Sequence, residues 1–594
     1  MEKTSSKTAT SDDLAALVAG DPASSVPKLR ELLSREPLNA AAYRALASAL
    51  GQNEKAAVRD GGISVRADFN IELMRASNAL RSGNLETAEI ILRKRLQERP
   101  ADVHALWLMA QLAIALVFTK EAESLLRLAI EIRPDFAPAT IELAKALERR
   151  GAVPEALGLL DQLLEKDPDD YLARSLKAAN LGRVGRFDEC LKLYEDLLAE
   201  YPEEPGLWTS YGHSLKTVGR SEDGVNAMRR AVEVAPWDGE AWWNVANLKT
   251  TRFTQQDLDL MLQGLARDSS DKDRVHLHFA LGKAFEDLGN SKEAFNHYLQ
   301  GNELRRRSLE HDPDEVSEEV TASSRVFTKT FFDERRGSGS PSPDPIFVIG
   351  MTRAGSTLVE QILASHSAIE GTKELAYVAL IAREIGRRTP DYYRRLAALS
   401  GEQLQAFGEQ YLGLMLSHRH EGRPLFIDKM PNNWLHVQLI HLILPNAKII
   451  DVRRHPLACG FSNFRQHFAR GQQVTYDFNW FGRFYADYVR MMAHFDEALP
   501  GRVHRVFYEQ LVTDTEAEIR RLLDYVGVPF EQSCLRFYET DRAIYTPSSE
   551  QVRRPIDPAK MEDWHAFEEW LGPLKEALGP VLDAYPDVPD FASN

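Results

Sequence analysis

The chain of 594 residues holds only three cysteines, Cys190, Cys459 and Cys534. They are far apart and odd in number, which excludes a disulfide framework or a cysteine-based zinc site and points to a reducing compartment. Long apolar runs are missing as well: the longest, Leu106 to Phe118, contains Gln111 and is too short to cross a bilayer. The polar, acidic start MEKTSSKTATSDDLAALVAG lacks the apolar core of a signal peptide, so a cytoplasmic protein with residues 1–19 disordered is expected. Positive charge is in deficit, with 72 Lys and Arg against 88 Asp and Glu, and the net charge of -16 argues against broad binding to nucleic acid or anionic membranes. No His-Glu-x-x-His and no Gly-x-Ser-x-Gly occurs, and the pairs His276/His278 and His418/His420 lack a third ligand at useful spacing. Neither a metal site nor a serine-hydrolase elbow is therefore expected.

What is present divides the chain in two, as its length requires. In the first half Pro100, Pro134, Pro168, Pro202 and Pro236 recur every 34 residues. Small residues keep the same phase: Ala76, Ala110, Ala144, Ala178, Gly212 and Ala246 at one position, Ala88, Ala122, Ala156, Cys190 and Gly224 at another. Gly83, Gly151, Gly185 and Gly219 fall between them, where a short turn joins two helices. One helical hairpin per repeat follows, its small residues admitting close helix approach and its proline closing the second helix. A further unit shows at Gly282, Gly289, Ala294 and Tyr298, after an insertion around Thr251 to Asp273. A degenerate first unit spans Asn39 to Gly51, with an irregular connection through Asp60-Gly61-Gly62.

After the Gly/Ser/Pro-rich stretch Arg335 to Asp344 the pattern changes to apolar strand-like runs, Ile346 to Ile349 and Lys448 to Val452, alternating with helical segments, as in a parallel α/β sheet. The segment PIFVIGMTRAGSTLVEQILAS, from Pro345, reads as strand, glycine-bracketed loop and helix, a ready-made anion cradle. Its Gly350, Gly355 and Thr357 copy the P-loop spacing, yet Ser356 stands where the phosphate-binding lysine belongs. A phosphate-bearing donor other than a nucleoside triphosphate is therefore favoured.

These motifs carry two resemblances. The repeats, with Trp208 and Trp242 near first-helix starts, resemble the tetratricopeptide repeat over residues 20–311. Residues 344–585 resemble sulfotransferases that use 3′-phosphoadenosine 5′-phosphosulfate (PAPS), in particular bacterial ones fused to such repeats and, more distantly, tyrosylprotein sulfotransferases. The implied fold is an all-α repeat superhelix, a connecting helix and linker over 312–343, an α/β P-loop-like domain with a parallel central sheet, and a tail over 586–594.

The resemblance also implies the site. Arg353, Ala354, Gly355, Ser356 and Thr357 match the loop for the 5′-phosphosulfate, and Arg454 and Ser462 match the 3′-phosphate contacts. Tyr508 of Tyr-Glu-Gln-Leu-Val lies by the adenine end, and Ser548, Ser549, Gln551 and Arg553 belong to a segment that closes over the donor. Glu374 matches the catalytic base and Lys429, with Arg353, the cations that neutralise the transferring group; His366 and His455 are alternative bases. The sequence departs from the family at Thr352, Ala354 and Ser356 of the loop, has Gln466 where a third arginine is usual, with Arg465 adjacent, and has Asp563 where a cation precedes Trp564. Arg553, Arg554 and Lys560 are substitutes for that cation.

The activity implied is transfer of a sulfonyl group from PAPS to an acceptor hydroxyl, leaving adenosine 3′,5′-bisphosphate (PAP), without a metal. Tyrosine of a peptide or protein recruited in the repeat groove is the favoured acceptor, with carbohydrate, lipid and small phenol as alternatives. The repeats serve equally as a homo-oligomerisation surface. Two other readings are a P-loop kinase or NTPase, with Lys448 to Asp451 as its metal-binding strand, and a repeat scaffold with a silent nucleotide domain.

Overall fold

The computed structural model describes residues 14, 18, 22–50, 71–116, 118–248, 251–267, 269–387, 389, 391–468, 471–540, 542, 544, 546 and 551–591. The chain forms two compact units, Met1–Pro202 and Glu203–Asn594. In the first, the 34-residue period becomes hairpins: Ile71–Arg81 with Leu85–Glu98, Val103–Ala115 with Thr119–Ile132, Ala137–Arg150 with Val153–Lys166, and Tyr171–Arg183 with Phe187–Glu200. Each periodic proline of this unit follows the end of a second helix, and the small residues at both phases are fully buried, which is what close helix contact demands. Gly83, Gly151 and Gly185 turn with φ between +75° and +86°, a region glycine enters without steric cost. Helices Pro22–Arg35 and Ala40–Ala49 precede these hairpins; Gly51 and the Asp60-Gly61-Gly62 connection lie outside the described residues.

The second unit begins with more of the same grammar. Helices Pro205–Thr217 and Ser221–Val234 meet at Gly212 and Gly224, where a Cβ on Gly212 would come within 3.0 Å of the Gly224 carbonyl oxygen. Gly239–Asn247 and the long pair Asp271–Asp287 and Ser291–Arg307 complete the repeats. The insertion at Thr251 to Asp273 folds into a helix, Gln255–Leu265, because Thr254 and Asp257 form a reciprocal capping box at its start.

The stretch Arg335 to Asp344, composed like a flexible linker, is instead pinned. Ser340 N–H donates to the Ile443 carbonyl at 2.8 Å, and Gly339, at φ +83°, lies so close to Leu442 that a Cβ would come within 2.3 Å of its oxygen. Before it, helices Glu315–Val326 and Lys329–Glu334 bury Val320, Phe327 and Phe332 in the core of the α/β region.

That core surrounds five parallel strands: β1 (Pro345–Gly350), β2 (Ile369–Gly371), β3 (Leu425–Lys429), β4 (Lys448–Arg453) and β5 (Val503–Phe507). Their order is β2-β3-β1-β4-β5, so β1 is central and entirely buried. Val348 of β1 pairs with Lys429 of β3, and Gly350 with Val452 of β4. The carboxyl ends of the three inner strands therefore release the Met351–Gly355 loop, Lys429 and Arg454 side by side, at the crevice where parallel sheets bind ligands.

Candidate functional site

The loop after β1 is built tightly. Gly350 runs at φ +133° with the Val452 carbonyl so close that a Cβ would come within 2.3 Å of it. Arg353 is the one non-glycine residue at positive φ among the described residues, at +66°, a strained position of the kind found at ligand clamps. Gly355, at φ +105°, caps helix Ser356–Ala364 and supports the Tyr508 ring, 2.6 Å from where a Cβ would sit. Asn463 clasps the loop from helix Pro456–Phe464: its Nδ2 donates to the Thr352 carbonyl at 2.8 Å and its Oδ1 accepts from the Thr352 hydroxyl at 2.6 Å. A threonine in place of the usual proline thus gains a partner.

A cavity of about 280 Å³ opens over this loop, lined among others by Arg353, Gly355, Ser356, Thr357, Arg454, Ser462, Tyr508 and Gln551. Arg353 Nε donates to Ser462 Oγ at 3.3 Å, Arg454 Nη1 donates to the Arg353 carbonyl at 3.3 Å, and the Arg454 guanidinium lies 4.8 Å from the centre of the Tyr508 ring. Two further guanidiniums, Arg465 and Arg554, share the cavity with Asp557 and Asp563. Burial, and then the like charges of Arg465 and Arg454, push the Arg353 guanidinium down to about 10.

Several expected residues sit elsewhere. Ala354 is wholly buried beneath the loop and does not line the cavity. Arg553 turns away from it, donating to the Arg542 carbonyl at 2.8 Å and the Thr217 carbonyl at 3.4 Å, so its neighbour Arg554 is the residue that faces the cavity. Ser548 and Ser549 lie outside the described residues. Of the Arg453-Arg454 pair only Arg454 reaches the cavity, because Arg453 is buried against Asp451 at 3.3 Å and the Tyr488 ring. Asp451, the candidate metal ligand of a kinase-like strand, is saturated by Tyr488 Oη, Arg453 and Arg505, the last at 2.9 Å.

Glu374 and Lys429 form a second cluster, outside the residues that line the cavity. Lys429, 2% exposed at the end of β3, is hydrogen-bonded to Glu374 and lies 3.7 Å from Glu360, which is one turn beyond Thr357 on the loop helix. Arg542 bonds Glu360 at 2.8 Å and Gln361 at 2.7 Å. Glu374 precedes helix Tyr377–Ile385 without capping it. The alternative bases are engaged: His366 Nε2 is 2.8 Å from the Pro529 carbonyl while Nδ1 accepts from the Ala368 N–H, and His455 stacks on Trp564.

Sequence reasoning missed Asn463, Glu360 and Arg542. Asn463 follows Ser462 in the helix already singled out, and Glu360 lies on the loop helix, so both carried a positional signal; Arg542, far along the chain, carried none.

Residues 345–532 match the model of the sulfotransferase family, and residues 14–58 and 119–179 match tetratricopeptide-repeat models. An uncharacterized protein of Aquifex aeolicus (strain VF5) is 29% identical over 63% of this chain and 51% of its own length. Protein-tyrosine sulfotransferase A of Caenorhabditis elegans is 23% identical over 40% of this chain and 64% of its own. The omega-hydroxy-beta-dihydromenaquinone-9 sulfotransferase of Mycobacterium tuberculosis (strain CDC 1551 / Oshkosh) is 27% identical over 39% of this chain and 76% of its own. The chain thus spans about half the length of the Aquifex relative and about two thirds or more of the other two. A parallel sheet whose central loop borders an arginine-lined cavity, together with these matches, makes residues 345–532 similar to the sulfotransferase family and residues 14–58 and 119–179 similar to tetratricopeptide repeats.

Proposed function

We propose that this domain transfers a sulfonyl group from PAPS to an acceptor hydroxyl, with Arg353, Gly355, Ser356 and Thr357 at the 5′-phosphosulfate and Arg454 and Ser462 at the 3′-phosphate. The observation that carries the reading is the convergence of Arg353, Arg454, Arg465 and Arg554 on one cavity beneath a tyrosine ring. A doubly phosphorylated adenosine offers these guanidiniums an anion at two points and offers Tyr508 an aromatic base. Gln551 lines the cavity from the C-terminal side, and Arg553 supports that segment through the Thr217 and Arg542 carbonyls.

PAPS supplies the sulfonyl group and leaves as PAP. Glu374 takes the proton of the acceptor hydroxyl as its oxygen bonds to sulfur and the bond from sulfur to the phosphate oxygen breaks. Lys429 and Arg353 neutralise the charge that builds on the sulfonyl oxygens and the departing phosphate. Lys429 is held between Glu374 and Glu360, so it is oriented before substrate arrives.

The kinase reading is disfavoured by the saturated Asp451 and by Ser356 at the lysine position. For the acceptor, the glutamate-lysine pair and a peptide-binding type of repeat favour a tyrosyl peptide or protein, and a relative named for a menaquinone derivative keeps a lipid hydroxyl as the second reading. The test is magnesium-free calorimetry with PAP, followed by incubation with PAPS and separate panels of tyrosyl peptides, prenyl alcohols, glycans and phenols, read as the mass gain of a sulfate. Glu374→Ala is expected to abolish turnover and leave PAP affinity within about twofold, whereas Arg454→Ala should weaken PAP at least about tenfold. Wild-type turnover in Glu374→Ala would overturn the base assignment, and absence of PAP binding the donor assignment.

A further inference from the structure

Arg465 follows helix Pro456–Phe464 and stands three residues beyond Ser462, a spacing that puts both side chains on one face of the turn, toward the same cavity. Its guanidinium is held from two sides. Nη1 is 2.8 Å from Oε1 of Glu286, which belongs to the repeat helix Asp271–Asp287, and Nη2 is 3.7 Å from Oδ2 of Asp563 in the cavity wall. The other oxygen of Glu286 accepts from the Tyr298 hydroxyl at 2.9 Å, and Tyr298 is locked over Gly282, where a Cβ would fall within 2.5 Å of its ring.

The residues on either side of Arg465 are tied to the repeats as well. The Phe464 carbonyl accepts from Asn302 Nδ2 at 2.8 Å, and Gln466 Nε2 donates to Asn247 Oδ1 at 3.0 Å. Three consecutive residues, of which Arg465 lines the cavity, are thus bonded to three repeat helices. Glu286 also decides where the Arg465 charge goes. Glu286 is the nearer carboxylate, at 2.8 Å, and Asp563 the more distant, at 3.7 Å, so the Arg465 guanidinium is held at the cavity beside Arg353, whose like charge repels it.

We propose that the last repeat hairpin is part of the nucleotide site, with Glu286, fixed by Tyr298, as a positioning residue that holds Arg465 toward the phosphate addressed by Arg454 and Ser462. This rests on the donor reading above. Arg465 then supplies the cation absent at Asp563, and the repeats govern donor affinity as well as any acceptor they present.

The test uses the full chain and magnesium-free calorimetry with PAP and with adenosine 5′-monophosphate, which lacks the 3′-phosphate. Glu286→Gln and Arg465→Ala should each weaken PAP about tenfold or more, leave adenosine 5′-monophosphate within about twofold, and combine without a further loss. Tyr298→Phe should give a smaller loss of the same selectivity, and Glu286→Asp should recover part of the affinity. In turnover, KM for PAPS should rise with kcat little changed. Unchanged PAP affinity in Glu286→Gln, or an equal loss for both nucleotides, overturns the positioning role while leaving the donor reading intact. A wild-type chain that does not bind PAP overturns both.

Discussion

The repeats before Pro202 and those after it share one sequence grammar and do different things with it. In the first unit the helices bury one another: Val103–Ala115 is apolar nearly all round, and the core is mostly leucine and alanine, with Tyr43 and Phe136 as its buried aromatics. Charged pairs such as Arg174 with Glu200 tie one hairpin's helices to each other. In the second unit the corresponding helices bury Trp242, His276, His278, His297 and Asn302, and two of these, His276 and Asn302, meet the segment Phe464 to His467. His467 packs edge-on against Trp243 and His276 at 6.0 and 4.9 Å between ring centres. The lesson is that a repeat's small residues and prolines fix its hairpin, while the residues between them decide whether its face serves another repeat or the α/β region.

Three perturbations sharpen that contrast. The largest is Leu106→Ala, which empties a fully buried site of the first unit and should cost about 2–5 kcal/mol of stability by calorimetric unfolding. PAP affinity should not change, and a change would break the contrast. Next is Asn302→Ala, which removes the donor to the Tyr298 and Phe464 carbonyls and should cost about 1–3 kcal/mol. Here PAP should bind more weakly, because the wall that carries Arg465 loses a support.

The smallest effect is on pH dependence. The first 202 residues contain a single histidine, His104, whereas the second unit holds many, and burial lowers His278, His418, His441 and His504 to about 4 and His436 and His467 to about 3. The unfolded chain takes up these protons first, near 6.5, so stability of the second unit should fall as pH drops from 6.5 toward 4. Asp428 works the other way: burial raises it to about 7, and its contribution is lost as pH climbs from about 4 to 7. One such group against six histidines leaves the acid-side loss dominant. A melting transition of the second unit that stays flat between pH 6.5 and 4 would remove this difference between the regions.

Much of the site was legible because it is local. The loop from Gly350 to Thr357 needs only a buried strand, glycines at two tight places and a helix start, all of them adjacent in sequence, and the Asp451 to Ser462 segment is a strand end followed by a helix in the same way. Tyr508 was legible as the residue after a strand, and Lys429 by its motif, although neither β3 nor β5 has the uniform apolar run of β1. What failed was the assignment among neighbours. Arg553 and Arg554 are equivalent in sequence, and only the packing of Arg553 against the Thr217 and Arg542 carbonyls sends one away from the cavity and leaves the other facing it. The stretch Arg335 to Asp344 differs from expectation for a related reason: its composition is that of a spacer, but Gly339 is spent on close passage beneath Leu442 and Ile443.

By itself the sequence determined the hairpin repeat, through a period that places small residues and prolines at fixed points of every helix pair, and the anion loop, through glycines and hydroxyls a few residues apart. Tertiary structure alone decided which arginines share a cavity and which carboxylates hold them. Charges separated by as many residues as Glu286 and Arg465 interact only when the chain brings them within hydrogen-bond reach, and no local pattern of residues encodes that distance.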